Sequence, residues 1–207
     1  MVGTYTTPNI YGFSKIFATD VNNTFFKIPL FEYGHLNRIN NEGWSVGSVI
    51  EVPTLGGSYS RAIIWNVNTE EIIDDFCKSA DDPDCFYDAL FINNNGKVLM
   101  RSGEPKLAIF DIENRSLKYV PSECYSRPVS FNDHDQLVLN CGDYRPIFIH
   151  GNVHRELLPL SGDDGAYVFG MNNLGEVIGE SFKTSQRELT KKPVVWKTDI
   201  PPRRSPA

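Results

Sequence analysis

One short segment recurs four times in this chain and constrains its fold more than any other feature. Ile39-Asn40-Asn41-Glu42-Gly43, Ile92-Asn93-Asn94-Asn95-Gly96, Phe131-Asn132-Asp133-His134-Asp135 and Met171-Asn172-Asn173-Leu174-Gly175 share one pattern. Each reads apolar residue, Asn, Asn or Asp, any residue, then Gly or Asp. Between two strands, this pattern suits a short hairpin in which the last residue takes positive φ. The first Asn is suited to accept a hydrogen bond from the backbone two residues on. Asp135 replaces Gly in the third copy, and Asp tolerates the left-handed region better than most residues.

The spacing of the turns sets the architecture. Asn93 to Asn132 is 39 residues and Asn132 to Asn172 is 40, whereas Asn40 to Asn93 is 53. The longer interval holds two insertions, Glu51 to Ser60 and Ser79 to Cys85. A period of about 40 residues is that of a four-stranded propeller blade. Short runs rich in Val, Ile, Phe and Tyr flank the turns, as strands do. First strands are expected at His35 to Ile39, Tyr87 to Ile92, Pro128 to Phe131 and Ala166 to Met171. Second strands follow at Trp44 to Ile50, Lys97 to Ser102, Gln136 to Cys141 and Glu176 to Phe182. Third strands fall at Ala62 to Val67, Leu107 to Ile112, Pro146 to His150 and Pro193 to Lys197. Fourth strands fall at Glu71 to Phe76, Ser116 to Val120 and Arg155 to Leu160. No segment carries a sustained helical period.

Lys15 to Val21 aligns with Lys106 to Ile112, so the chain opens inside a repeat, with Met1 to Thr6 as a second strand. After Trp196 no fourth strand is evident. The expected fold is therefore all-β: a β-propeller of four-stranded blades, five in number, with incomplete first and last repeats. One domain would span 1–200, in units of about 1–30, 33–76, 86–120, 127–160 and 166–197, with a tail at 201–207. Closing such sheets into a ring removes exposed strand edges.

The stretch Met171-Asn172-Asn173-Leu174-Gly175-Glu176-Val177-Ile178-Gly179-Glu180-Ser181, followed by Pro193-Val194-Val195-Trp196, resembles the HAF repeat of bacterial extracellular repeat proteins. Arg61-Ala62-Ile63-Ile64-Trp65 is similar to that family's second signature. The resemblance is strong at 35–76 and 166–197. It is weak at 128–160, where Ile149 or His150 stands in place of Trp. It implies propeller-like blades and a secreted or cell-surface setting, and it brings no catalytic residues. The N-terminus, Met1-Val2-Gly3-Thr4-Tyr5, lacks the basic start and apolar core of a signal peptide.

The formal charge of −6 argues against a nucleic-acid footprint. No apolar run is long enough for a membrane span. Cys77 and Cys85 bracket an acidic loop that a disulfide would close, and Cys124 and Cys141 can pair across neighbouring strands. Four cysteines allow three connectivities, and buried free thiols fit equally well. Without Cys-x-x-Cys, a zinc site is not expected, nor is any cofactor.

Once the repeats are aligned, a basic residue precedes every third strand: Lys15, Arg61, Lys106, Arg145 and Lys192. A ring of such cations would bind an anionic ligand. The competing explanation is that each pairs with an acidic neighbour or covers apolar surface with its stem. Tyr11, Tyr59 and Tyr144 accompany these loops and offer ring faces to a glycan. Asp81, Asp82 and Asp84, with Asp163 and Asp164, are weak Ca²⁺ candidates. They also raise the alternative of a glycan-active hydrolase on a five-bladed propeller. Solvated loop charge explains them as well. The repeating Trp65, Phe110 and Trp196 read as core between blades. The functional expectation is a non-enzymatic binding module, lectin-like or anion-binding. Its partner would be a glycan, an anionic ligand or a host or partner protein, bound on the face bearing the inter-blade loops.

Overall fold

The computed structural model describes residues 2–6, 14–19, 25–26, 33–51, 58–77, 82, 84–102, 106–121, 126–185 and 189–198; of the residues before 33, and of residue 126, it describes the backbone. These residues form five antiparallel sheets and no helix. They belong to two compact units, 1–120 and 121–207.

The first unit holds three sheets. Sheet 1 comprises β1 (Val2–Thr6), β2 (Ser14–Thr19) and β3 (Phe25–Phe26). Sheet 2 comprises β4 (Gly34–Ile39), β5 (Trp44–Glu51), β6 (Tyr59–Asn66) and β7 (Ile72–Ile73). Sheet 3 comprises β8 (Phe86–Ile92), β9 (Lys97–Ser102), β10 (Leu107–Asp111) and β11 (Ser116–Val120). The second unit holds two. Sheet 4 comprises β12 (Ser126–Phe131), β13 (Gln136–Cys141), β14 (Pro146–His150) and β15 (Val153–Glu156), and sheet 5 comprises β16 (Gly165–Met171), β17 (Glu176–Thr184) and β18 (Leu189–Lys197). Strands pair strictly in chain order. The first and last sheets have three strands among the described residues, as the broken repeats require. Arg61 and Lys192 lie inside β6 and β18 rather than ahead of them, because these strands begin earlier than their apolar runs do. No helix among the described residues is long and apolar enough to cross a membrane.

The turn chemistry is as the repeat demands. Gly43, Gly96 and Gly175 have φ of 85°, 68° and 75°, and Asp135 takes 57°. Asn40 Oδ1 accepts from the backbone N–H of Glu42 at 3.1 Å and of Trp44 at 3.0 Å. Asn93, Asn132 and Asn172 do the same two and four residues on. Two of these Asn side chains also reach the adjacent sheet, which the local pattern does not disclose. Asn40 Nδ2 donates to the Asn93 carbonyl at 3.2 Å, and Asn132 Nδ2 to the Asn172 carbonyl at 3.0 Å. The second Asn adds a further bond, from Asn41 N to Asn94 Oδ1 and from Asp133 N to Asn173 Oδ1.

Second strands are buried on both faces, as stacked sheets require: Ser45 to Val49 and Val98 to Met100 are unbroken buried runs. Peripheral β11 and β15 are mostly exposed. In the first unit, Val46, Ala62 and Ile64 of sheet 2 pack with Phe86, Ala89 and Met100 of sheet 3. Leu36, Val49, Ile63 and Trp65 form a separate cluster. In the second unit, Val138 and Phe148 pack with Val168 and Val177, and Trp196 lies against them. Trp65, Phe110 and Trp196 are therefore core and its margin. Fully burying a Val, Ile or Phe side chain of these clusters contributes about 1.5–3 kcal/mol.

Asp111 closes the β10–β11 turn. Its Oδ1 accepts from the backbone N–H of Glu113 and Asn114, and its Oδ2 accepts from Asn114 Nδ2 and Lys97 Nζ. Burial alone would raise this carboxyl. The Lys97 and Asn114 bonds outweigh burial and hold it at about 2. A depressed folded value stabilises above the unfolded one, so the contribution is complete above pH 3.8 and disappears as pH falls through about 2. About 2 kcal/mol should be lost across that window. Asp111→Asn should flatten this limb of an acid-unfolding curve followed by circular dichroism; an unchanged limb would contradict the assignment.

Candidate functional site

Aligning the sheets on the turn Asn exposes two positions on each inner hairpin that carry chemistry rather than architecture. Five residues before the Asn stand His35, Asp88, Arg127 and Tyr167; eight residues after it stand Ser48, Arg101, Asn140 and Glu180. Each pair is opposed across its hairpin: His35 with Ser48, Asp88 with Arg101, Arg127 with Asn140, Tyr167 with Glu180. A β-bulge lies within each of these first strands, and β8 carries a second one at Tyr87, beside Asp88. Bulges re-aim side chains and recur next to functional sites.

In the first unit these positions build a cluster around Asp88, whose side chain is only 9% exposed. Asp88 Oδ1 accepts from Asn37 Nδ2 at 3.0 Å and lies 3.3 Å from His35 Nε2. Its Oδ2 accepts from Arg101 Nη2 at 3.3 Å. The Arg101 guanidinium stands 5.0 Å from the Tyr87 ring centroid. His35 Nδ1 is hydrogen-bonded to Ser48 Oγ at 3.1 Å. Ser, His and Asp thus stand in the order of a hydrolase triad, but Ser48 is buried in mid-strand, out of reach of a substrate carbonyl. The Cys77–Cys85 disulfide closes the loop leading directly into β8. Cys141 is disulfide-bonded as well, and Cys124 lies outside the described residues.

In the second unit the same positions adjoin an aromatic group. Tyr144 sits in the β13–β14 turn at φ 58° and is 49% exposed. Its ring meets Tyr167 edge-on at 5.3 Å and Phe182 at 5.2 Å, and those two stack at 5.7 Å. The chain geometry requires this contact. The Tyr144 carbonyl accepts from Ala166 N at 3.0 Å, and a Cβ on Gly165 would come within 2.8 Å of both Tyr144 Cβ and Phe182 Cζ. Burial, and then the neighbouring Tyr144 hydroxyl, push the Tyr167 phenol above its usual range. The charges of Lys191 and Arg127 act in the opposite sense. Asn140 fixes β16 beside Tyr167, exchanging two bonds with Val168 at 2.9 and 3.0 Å.

The basic series differs from blade to blade. Arg61 lies between Glu51 Oε1 at 2.6 Å and Asp74 Oδ2 at 2.9 Å. Lys192 pairs with Asp163 at 2.9 Å. Arg145 lies 3.6 Å from exposed Asp143, and Lys106 is exposed just ahead of β10. Lys15 is in β2, its side chain outside the described residues, as are Tyr11 and Asp81. Tyr59 donates to Glu51 at 2.7 Å; that bond, then burial, raises its pKa. Asp82 accepts from Asp84 N within its own loop. Asp163 also accepts from Ser181 Oγ at 2.7 Å, and the Lys192 and Ser181 bonds lower its pKa. Asp164 accepts from Thr184 N at 2.6 Å. Among the described residues, no three His, Cys, Asp or Glu side chains are grouped to hold a metal ion.

No family model matches this chain, and no curated protein matches it in sequence. Its fold is similar to that of the β-propeller domain of the Trilobed protease from Pyrococcus furiosus, a domain described as having an open velcro topology. The similarity has a TM-score of 0.56 at 12% identity, covering 97% of this chain and 66% of that one. At that identity the likeness carries fold alone. The chain is an all-β protein of β-propeller fold, built from blades of up to four antiparallel strands.

Proposed function

We propose that this chain is a non-enzymatic binding module whose second unit recognises a glycan through the Tyr144–Tyr167–Phe182 group. One observation carries the reading. A half-exposed Tyr144 is held on left-handed backbone, where non-Gly residues are uncommon, by packing against the next blade. Residues held in sparsely populated backbone regions cluster at ligand sites, and Tyr144 is the one aromatic among the non-Gly residues of positive φ in the described chain. A tyrosine face stacks on sugar C–H groups, and Arg127, Lys191 and Glu180 are at hand to bond hydroxyls. Glu180 accepts from Lys191 at 2.6 Å, so both are already oriented. The carboxylates of Asp163 and Asp164 are engaged by their own blade, which favours binding over the hydrolase alternative.

The Cys77–Cys85 disulfide favours an oxidising, secreted or cell-surface setting, in line with the HAF-repeat resemblance. A glycan array followed by calorimetry tests the function. Tyr144→Ala should weaken the best glycan about tenfold or more, given about 1.5 kcal/mol for a lost stacking partner. Tyr144→Phe should retain most affinity. Equal binding by Tyr144→Ala would remove the reading, and turnover of any glycoside lost in Asp163→Asn would establish the hydrolase instead.

A further inference from the structure

Repeats separate two kinds of position. Where architecture decides, the residue type recurs, as Asn40, Asn93, Asn132 and Asn172 do. Five residues ahead of these, all four residues are polar and all four differ. The first unit therefore holds chemistry at Asp88 and His35 that its fold does not require.

We propose that Arg101, standing beside His35, forms a binding site for a carboxylate, distinct from the aromatic group of the second unit and independent of it. The accessible donor of the cluster is Arg101, because His35 engages both its ring nitrogens, Nδ1 with Ser48 and Nε2 with Asp88. Arg101 and His35 are 37% and 45% exposed in their side chains, whereas Asp88 is nearly covered. Arg101 has five N–H donors, yet among the described residues it makes one hydrogen bond, the 3.3 Å contact to Asp88. Its Nε is buried without a hydrogen-bond partner, so a ligand meets the two Nη groups. A guanidinium fork with free donors on one side matches the two oxygens of a carboxylate. Asp88 holds the Arg101 and His35 side chains from beneath, and the Tyr87 ring flanks the guanidinium at 5.0 Å. The bulge at Tyr87, which interrupts β8 alone at this level, points Asp88 between His35 and Arg101.

Charge selects among anions. One guanidinium lies over one buried carboxylate, so the net attraction is small and grows only in proportion to ligand charge, whereas the desolvation cost grows as its square and favours a monoanion over a dianion. The ligand is therefore a carboxylate rather than a phosphate, and either an acidic sugar or a peptide carboxylate can supply it.

Titration of the ¹⁵N-labelled, disulfide-intact chain with glucuronate, glucuronate methyl ester, N-acetylglycine and inorganic phosphate decides the matter. The Arg101 Nε–H and His35 ring resonances are the readout. A shift caused by either carboxylate but not by the ester supports the site, and the tighter carboxylate names the source. Arg101→Gln should weaken binding about tenfold or more, and Arg101→Lys should also weaken it, since a lysine lacks the fork. Tyr144→Ala should leave it unchanged, which separates failure here from failure of the glycan reading. No carboxylate-induced shift, equal binding of the methyl ester, tighter binding of phosphate, or full affinity in a folded Arg101→Lys protein would each overturn the proposal.

Discussion

Gly47→Ala should cost about 3 kcal/mol or more of folding free energy. Gly47 lies in β5 opposite Leu36, one residue from the bulge at Asn37. A Cβ there would fall on the carbonyl oxygen of His35, and within 2.8 Å of the His35 carbonyl carbon and Leu36 Cα. All three are backbone atoms, so no rotamer change relieves the clash and β4 itself must move. For a chain of this size the cost corresponds to a fall in melting temperature of roughly 6–12 °C. Displacing β4 would also pull His35 and Asn37 away from Asp88, so the carboxylate-dependent shifts should vanish with the lost stability. Gly142→Ala is the control, because a Cβ there meets nothing within 4 Å, and it should change stability by less than about 0.5 kcal/mol. Equal melting temperatures for the two variants would show that β4 is not held against β5 as described.

The same glycine illustrates what is legible in a repeat. Val46-Gly47 and Ile178-Gly179 mark register in the sequence, but their cause is tertiary. Gly179 faces the Tyr167 carbonyl oxygen as Gly47 faces that of His35. Strands and turns are read directly, because short apolar runs bounded by positive-φ turns are local physics. The Asp88 cluster could not. Its members lie 13 and 53 residues apart, and bulges that no propensity announces decide which side chains meet. The available signal was comparative: once the turn Asn residues are aligned, the column five residues earlier reads His, Asp, Arg, Tyr. Aligning on basic residues instead selects Arg61, whose partners Glu51 and Asp74 stand at the start of this blade's insertion and just after its peripheral strand.

Asn132→Ala should destabilise the second unit by about 3 kcal/mol, and the size of the loss reports how the blades are joined. Asn132 is buried, and its side chain is bonded on every side. Oδ1 accepts from His134 N and Gln136 N at 3.0 and 3.1 Å, and Nδ2 donates to the Asn172 carbonyl at 3.0 Å and Gln136 Oε1 at 2.7 Å. At about 1 kcal/mol net per bond, with an added penalty for buried partners left unsatisfied, the sum reaches that range. Asn132→Asp separates the two roles. It keeps the acceptor that closes the turn and loses the amide that reaches the next blade, so it should recover about half the loss. Asn173→Ala removes two exposed bonds to Asp133, at 3.0 and 2.8 Å, and should cost about 1 kcal/mol or less. Urea unfolding of the four proteins measures the series. If Asn132→Asp matches the unsubstituted protein, the Asn repeat serves its own hairpin and apolar packing alone joins the blades. If it falls near Asn132→Ala, the repeated Asn is a bond between blades, and its recurrence about every 40 residues has a structural cause.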